Sequence, residues 1–140
     1  MKHFETLLLI ARRKAVIDSD SKWSEGARTY LGEMNNVIAE VCAELASGRQ
    51  CYLEDELGDV LWDYLNALTA LEKSHKISVE KVLQRACRKY EERIFGIESG
   101  QFWKDIKARQ KQALELEQKL LDNKIQNEQK QPKNKLGQVD

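Results

Sequence analysis

LEDELGDVLWDYLNALTALEK, residues 53–73, decides how the chain must be read. Leu53, Leu57, Val60, Leu61, Tyr64, Leu65, Leu68 and Leu71 recur at intervals of three and four, the spacing of one face of an α-helix. A strand would alternate at every second residue, and this stretch does not. The early acidic residues Glu54, Asp55 and Glu56 suit the positive end of the helix dipole, and His75-Lys76 closes the helix.

Working outward, the same period predicts a helix over residues 24–46, with Tyr30, Leu31, Met34, Val37, Ile38, Val41 and Leu45 inward and Gly48 as its terminator. Phe4, Leu7, Leu8, Ala11 and Ala15 mark a first amphipathic helix that ends near Asp18-Ser19-Asp20-Ser21, a turn that also offers N-caps to the next helix. Downstream, Ser78 caps a fourth helix with Val79, Val82, Leu83, Ala86, Cys87, Tyr90 and Ile94 inward, ended by Gly96. After Gly100 a fifth helix is expected from Phe102 to about Leu121. Residues 122–140, rich in Gln, Asn and Lys, have little to bury and are expected to be disordered. The predicted fold is therefore all-α, a four- to five-helix bundle over residues 1–121 with a disordered C-terminal tail.

Composition narrows the function. The 23 basic and 23 acidic residues of this 140-residue chain cancel, which argues against a dedicated nucleic-acid binder working through a uniformly positive face. Cys42, Cys51 and Cys87 are odd in number and widely spaced, so neither a disulfide framework nor a zinc knuckle is indicated and a reducing cytoplasm fits. The apolar run from Leu7 to Ala11 is too short to span a membrane, and no secretion signal or membrane association is expected. His3 and His75 have no companion ligands nearby in sequence.

The carboxylates become informative on a helical wheel at about 100° per residue. Glu33, Glu40 and Glu44 fall within a sector of roughly 40° beside the apolar stripe of the second helix; Glu56, Asp59 and Asp63 occupy about 60° beside that of the third. The short connection at 48–52 makes these helices antiparallel neighbours, so the two acidic stripes can meet. Like charges about 5 Å apart at an effective dielectric near 20 repel by roughly 3 kcal/mol, a strain that a hard divalent cation with oxygen ligands relieves. The bland alternative is a set of carboxylates lining solvated helix faces.

Glu56-Leu57-Gly58-Asp59, an ExxD motif, with Val60-Leu61-Trp62 after it, Glu40-Val41 before it, Trp23 further upstream, Lys89-Tyr90-Glu91-Glu92-Arg93 and Trp103-Lys104-Asp105-Ile106-Lys107, resembles the all-α MazG-like nucleoside triphosphate pyrophosphohydrolases over about Trp23 to Lys111. The family's first motif is ExxE, and its first Glu falls here on Val37, preceded by Asn36. Glu33 and Glu44 each lie about one turn from the gap, and Glu44 is the preferred substitute.

The resemblance implies Mg²⁺-dependent cleavage between the α and β phosphates of a nucleoside triphosphate, giving monophosphate and pyrophosphate, as in house-cleaning of the nucleotide pool. Glu40, Glu44, Glu56 and Asp59 would hold the metal and carry catalysis. Glu44 or Asp63 is the candidate general base, and Asp63, Lys89 and Arg93 are the candidates for substrate binding. The resemblance also implies a homodimer or a pair of dimers, in keeping with apolar positions such as Leu9, Ile10 and Trp62 that one bundle leaves outward. Two other readings remain at this level: a relative attenuated by the change at Val37, which binds nucleotide without turnover, and a helical scaffold whose acidic stripes serve solubility.

Overall fold

The computed structural model describes residues 2–19 and 26–131. It contains helices α1 (Lys2–Ser19), α2 (Ala27–Ser47), α3 (Gln50–Ser74), α4 (Val79–Glu98) and α5 (Trp103–Lys130), with no strand among the described residues. The all-α expectation holds. The chain forms two compact units, residues 1–84 and 85–140, with the boundary inside α4. The N-cap candidates Asp20 and Ser21, and Trp23, lie outside the described residues.

In the first unit α3 packs against α2 and α1. Gly48 ends α2 in the left-handed conformation, φ 71°, and its N–H donates to the Glu44 carbonyl at 3.1 Å. A side chain other than glycine resists that backbone, so Gly48 lets the chain reverse within two residues and start α3 at Gln50. Because α3 begins earlier than its apolar pattern suggests, Glu54 to Glu56 lie in its second turn rather than its first.

Burial on α3 concentrates between Asp63 and Thr69, with Leu65 and Leu68 as the core. The expected inward residues Leu57 and Tyr64 are exposed. On α2 the buried positions are Tyr30 and Val37, whereas Leu31, Ile38 and Leu45 are exposed. On α2 the packed face through Tyr30 and Val37 is therefore rotated by about 50°, half a residue, from the centre of the apolar stripe. Val37 is apolar because it belongs to this packed face.

Polar ties fasten α1 to its neighbours. Asp18 accepts from the Tyr30 hydroxyl and from Lys14 Nζ, linking α1 to α2. Glu72 on α3 accepts from Arg12 at 2.7 Å and from the Val79 N–H at 2.7 Å, so one carboxylate serves both α1 and the first turn of α4. Ser78 caps α4 as expected, its Oγ accepting from the Lys81 N–H at 3.1 Å.

In the second unit Gly96 does not end the helix, which continues to Glu98. It allows close approach: Ile106 of α5 is fully buried, and a Cβ on Gly96 would run into its Cδ1. Expected inward residues Cys87, Tyr90 and Ile94 are exposed, while Arg93 and Gly96 are buried. α5 runs nine residues beyond Leu121, so residues 122–130, expected to be disordered, are helical; 132–140 lie outside the described residues. Gly96→Ala should destabilise the fold by about 1–3 kcal/mol through overpacking against Ile106. Thermal melting checks this, with a Gly32→Ala control, whose added Cβ meets nothing within 4 Å, expected to be neutral or slightly stabilising.

Candidate functional site

The two-residue reversal at Gly48-Arg49 sets α2 and α3 antiparallel and in register. Glu40 on α2 lies against Glu56 on α3, close enough for their carboxyl groups to share a hydrogen bond. Seven residues back along α2 and seven forward along α3, Glu33 faces Asp63 electrostatically, with Asp59 between and acting on both Glu56 and Asp63. Val37 is buried level with this acidic stripe. Two carboxylate layers thus flank the position where a further carboxylate was expected.

Glu33, Glu40 and Asp59 are exposed, Glu56 is half-buried and Asp63 is buried. Glu56 Oε2 is buried without a hydrogen-bond partner, and its pKa is raised by the Glu40 carboxyl, by desolvation and by the charges of Glu40, Asp59 and Asp55. Asp63 is 7% exposed, and burial, then Glu33 and Asp59, hold its pKa above the usual carboxylate range. Among the described residues no cation is paired with Glu40, Glu56, Asp59 or Asp63.

Glu44, expected to substitute at the Val37 gap, is engaged elsewhere. Its carboxylate accepts from Arg49 Nε at 3.1 Å, from Arg49 Nη2 and from Ser47 Oγ at 2.7 Å, and its pKa is lowered by Arg49 and then Ser47. Arg49 lies 4.0 Å from the Tyr52 ring centroid, which further ties it to the α2–α3 connection. Glu33, which faces Asp63, is the carboxylate of the two that the register keeps in the acidic stripe.

A hard cation fits this donor set in kind. The orphaned Glu56 oxygen seeks a partner, and clustered carboxylates are oxygen ligands lacking counter-charge. Gly58 sits mid-helix, with helical φ, and a Cβ there would meet nothing within 4 Å. No packing constraint explains a residue that costs a helix about 0.5–1 kcal/mol relative to Ala. Among the described residues, no three Asp, Glu, His or Cys groups yet converge at chelating distance.

Lys89 and Arg93 belong to the second unit. They line a groove of about 860 Å³ between α4 and α5, together with Arg88, Lys104, Lys107 and Lys111. Arg93 is only 7% exposed, its guanidinium 4.9 Å from the Trp103 ring centroid and 5.2 Å from that of Tyr90. Arg93 Nε donates to Gln110 Oε1 at 2.7 Å, and Gln110 Nε2 donates to the Lys89 carbonyl at 2.9 Å. No carboxylate pairs with Arg93 among the described residues. Arg85, by contrast, is neutralised by Glu117 through two hydrogen bonds. The cationic groove was missed from sequence because Lys104, Lys107 and Lys111 fall on α5 at helical spacing, a signal visible only once α5 is known to pack on α4.

The raised pKa values have a definite thermodynamic sign. Between the unfolded and folded pKa of Glu56 and Asp63 the native state binds the additional proton, so stability falls as pH rises through that window. In chelator, the thermal midpoint should rise as pH is lowered through the raised pKa values of Glu56 and Asp63 toward the ordinary carboxylate range. Glu56→Gln should flatten that rise and raise the midpoint at pH 7; an unchanged pH profile would contradict the crowded-carboxylate arrangement.

Residues 27–94, from the first residue of α2 into α4, match the family model of the MazG nucleotide pyrophosphohydrolase domain. Comparisons with curated proteins and with solved structures returned no match. The matched stretch contains Glu33, Glu40, Glu56, Asp59 and Asp63 of the α2–α3 stripe together with Lys89 and Arg93, and over it the chain is similar to the MazG nucleotide pyrophosphohydrolase domain.

Proposed function

We propose that the protein is a Mg²⁺-dependent nucleoside triphosphate pyrophosphohydrolase that releases a nucleoside monophosphate and pyrophosphate and serves to clear unwanted nucleotides. The observation that carries this reading is the in-register meeting of Glu40 and Glu56, with the Glu56 oxygen buried and unpartnered, inside a matching MazG domain.

Glu40, Glu56 and Asp59 would hold the divalent ion, with Glu33 completing the set across from Asp63 in place of the residue lost at Val37. Glu44 can join only by releasing Arg49. The bound cation would supply charge neutralisation for phosphate oxygens and a lowered pKa for an attacking water. Asp63, a buried carboxylate whose pKa is raised by burial and then by Glu33 and Asp59, is the group we assign to take the proton from that water. Lys89 and Arg93 are the groups we assign to the phosphate chain: Lys89 as a mobile point charge, Arg93 as a planar donor oriented by Gln110 and the flanking rings.

The buried Val37 also supports a second reading, in which the incomplete ligand set binds metal and nucleotide but turns it over slowly. ³¹P NMR of mixed nucleoside and deoxynucleoside triphosphates with Mg²⁺ separates the two. Pyrophosphate should appear, and Glu56→Ala should reduce its rate at least about 100-fold. Orthophosphate as the product would overturn the reaction assignment, and metal-dependent nucleotide binding without product would favour the second reading.

We further propose a homodimer or a pair of dimers in a reducing, cytoplasmic compartment. Leu31, Ile38 and Leu45 repeat every seven residues along α2 and are exposed, Leu45 at 63%, an apolar row that the described residues of the first unit leave uncovered. The three cysteines are free and exposed. No helix among the described residues is long and apolar enough to cross a membrane. Ile38→Glu with Leu45→Glu should shift the sedimentation coefficient toward that of a monomer of 16.2 kDa without loss of helical signal; an unshifted coefficient would remove α2 from the interface.

A further inference from the structure

The acidic face of α3 does not end at Asp63. At alternating steps of three and four residues it continues Glu56, Asp59, Asp63, Asn66, Ala70, Lys73, a single stripe along one side of the helix. Asn66 lies seven residues beyond Asp59, about 10 Å along the axis. That separation is comparable with the reach from the α-phosphate of a nucleotide, across its sugar, to its base.

A cavity of about 270 Å³ opens at this end of the stripe, lined by Asn66, Ala70 and Lys73 of α3, by Ala15, Asp18 and Ser19 of α1, and by Gly26. Among the described residues, the alanines leave this space unfilled. Lys73 Nζ donates to the Ala15 carbonyl at 3.1 Å, and Asp18 is occupied by Lys14 and Tyr30. Asn66 differs from both. It is 1% exposed, and its Nδ2 donates to the Trp62 carbonyl at 2.8 Å, which settles the orientation of the amide. Its Oδ1 is buried and has no partner. Native interiors seldom leave such an acceptor unmet, and Asn66 is one of the residues around a cavity large enough for a planar heterocycle.

We propose that this cavity receives the base of the nucleotide and that Asn66 Oδ1 accepts a hydrogen bond from an N–H on the base's hydrogen-bonding edge. Asn66 is then a specificity-determining residue, and the substrate class is nucleotides whose edge nitrogen is unsubstituted. Because Nδ2 is committed to Trp62, the amide cannot turn over to offer a donor instead. An alkyl group on the edge nitrogen both removes the proton Oδ1 needs and fills the space beside it, so edge-alkylated nucleotides are rejected. The inference rests on the nucleotide-hydrolase reading and adds to it the place of the base.

The test compares UTP, CTP, ATP and GTP with 3-methyl-UTP, N4,N4-dimethyl-CTP, N6,N6-dimethyl-ATP and 1-methyl-GTP, taking the pair whose parent is turned over fastest. In the unaltered protein the methylated partner should lose at least about 100-fold in kcat/KM, the scale of discrimination when a site built around a substrate N–H is left unpaired. Asn66→Leu should lose activity on the parent and compress the parent-to-methyl ratio to within about threefold. Ala70→Leu, which fills the cavity without touching the amide, should weaken nucleotide binding about tenfold or more while leaving calorimetric binding of inorganic tripolyphosphate unchanged, since that probe has no base. An unaltered ratio in Asn66→Leu, or parallel losses for nucleotide and tripolyphosphate in Ala70→Leu, would overturn the base pocket alone. Absence of both turnover and binding for all four parents would instead overturn the nucleotide reading, and the pocket with it.

Discussion

The packing of α2 against α3 is the constraint on which the first unit rests. A left-handed glycine at position 48 joins the helices with almost no intervening chain, which forces them antiparallel and leaves no freedom to slip by a turn. The Glu40–Glu56 and Glu33–Asp63 oppositions follow from that register, each two helical turns from the other. The hydrophobic contacts of Leu65 and Leu68 hold like charges together that would separate in a looser assembly. Apolar burial is non-directional and cumulative, so it can sustain local repulsion at a few positions.

Electrostatic arrangement differs between the two units. The α2–α3 stripe concentrates carboxylates without counter-charge, whereas the α4–α5 groove concentrates cations of which only a minority are neutralised. A chain with formal net charge of zero thus carries two strong local fields of opposite sign. Net charge was a fair guide against a uniformly basic surface and a poor guide to either field, because it averages over helices that present their charges to different neighbours.

Several residues have a reason to exist only where structure and chemistry meet. Gly96 looks like a helix terminator in sequence but is a contact residue beneath Ile106. Gly58, between the motif carboxylates in sequence, lacks any such neighbour, and no contact in the structure explains it. Val37 is buried because the packed face of α2 runs through Tyr30 and Val37. A carboxylate there would be drawn into the helix interface, which accounts for how the acidic stripe can shift a turn toward Glu33 without disturbing the fold.

Local pattern was enough to read the helical class, the helix count, the Gly48 and Ser78 caps and the family resemblance, since propensity, period and capping act within a few residues. It was also enough to nominate Glu40, Glu56, Asp59 and Asp63, because three- and four-residue spacing places side chains on one face whatever the helix touches. It could not say which edge of a broad apolar stripe would be buried. Leu31, Ile38 and Leu45 have the same hydrophobicity inside or outside, and only the packing partner chose Tyr30 and Val37. Nor could it anticipate that Arg49 would take Glu44, that α5 would remain helical to Lys130, or that Asn66, with its unmet acceptor, would line a cavity. Those outcomes depend on groups distant in sequence or on rotamers selected by neighbours, and three-dimensional packing alone brings such groups together.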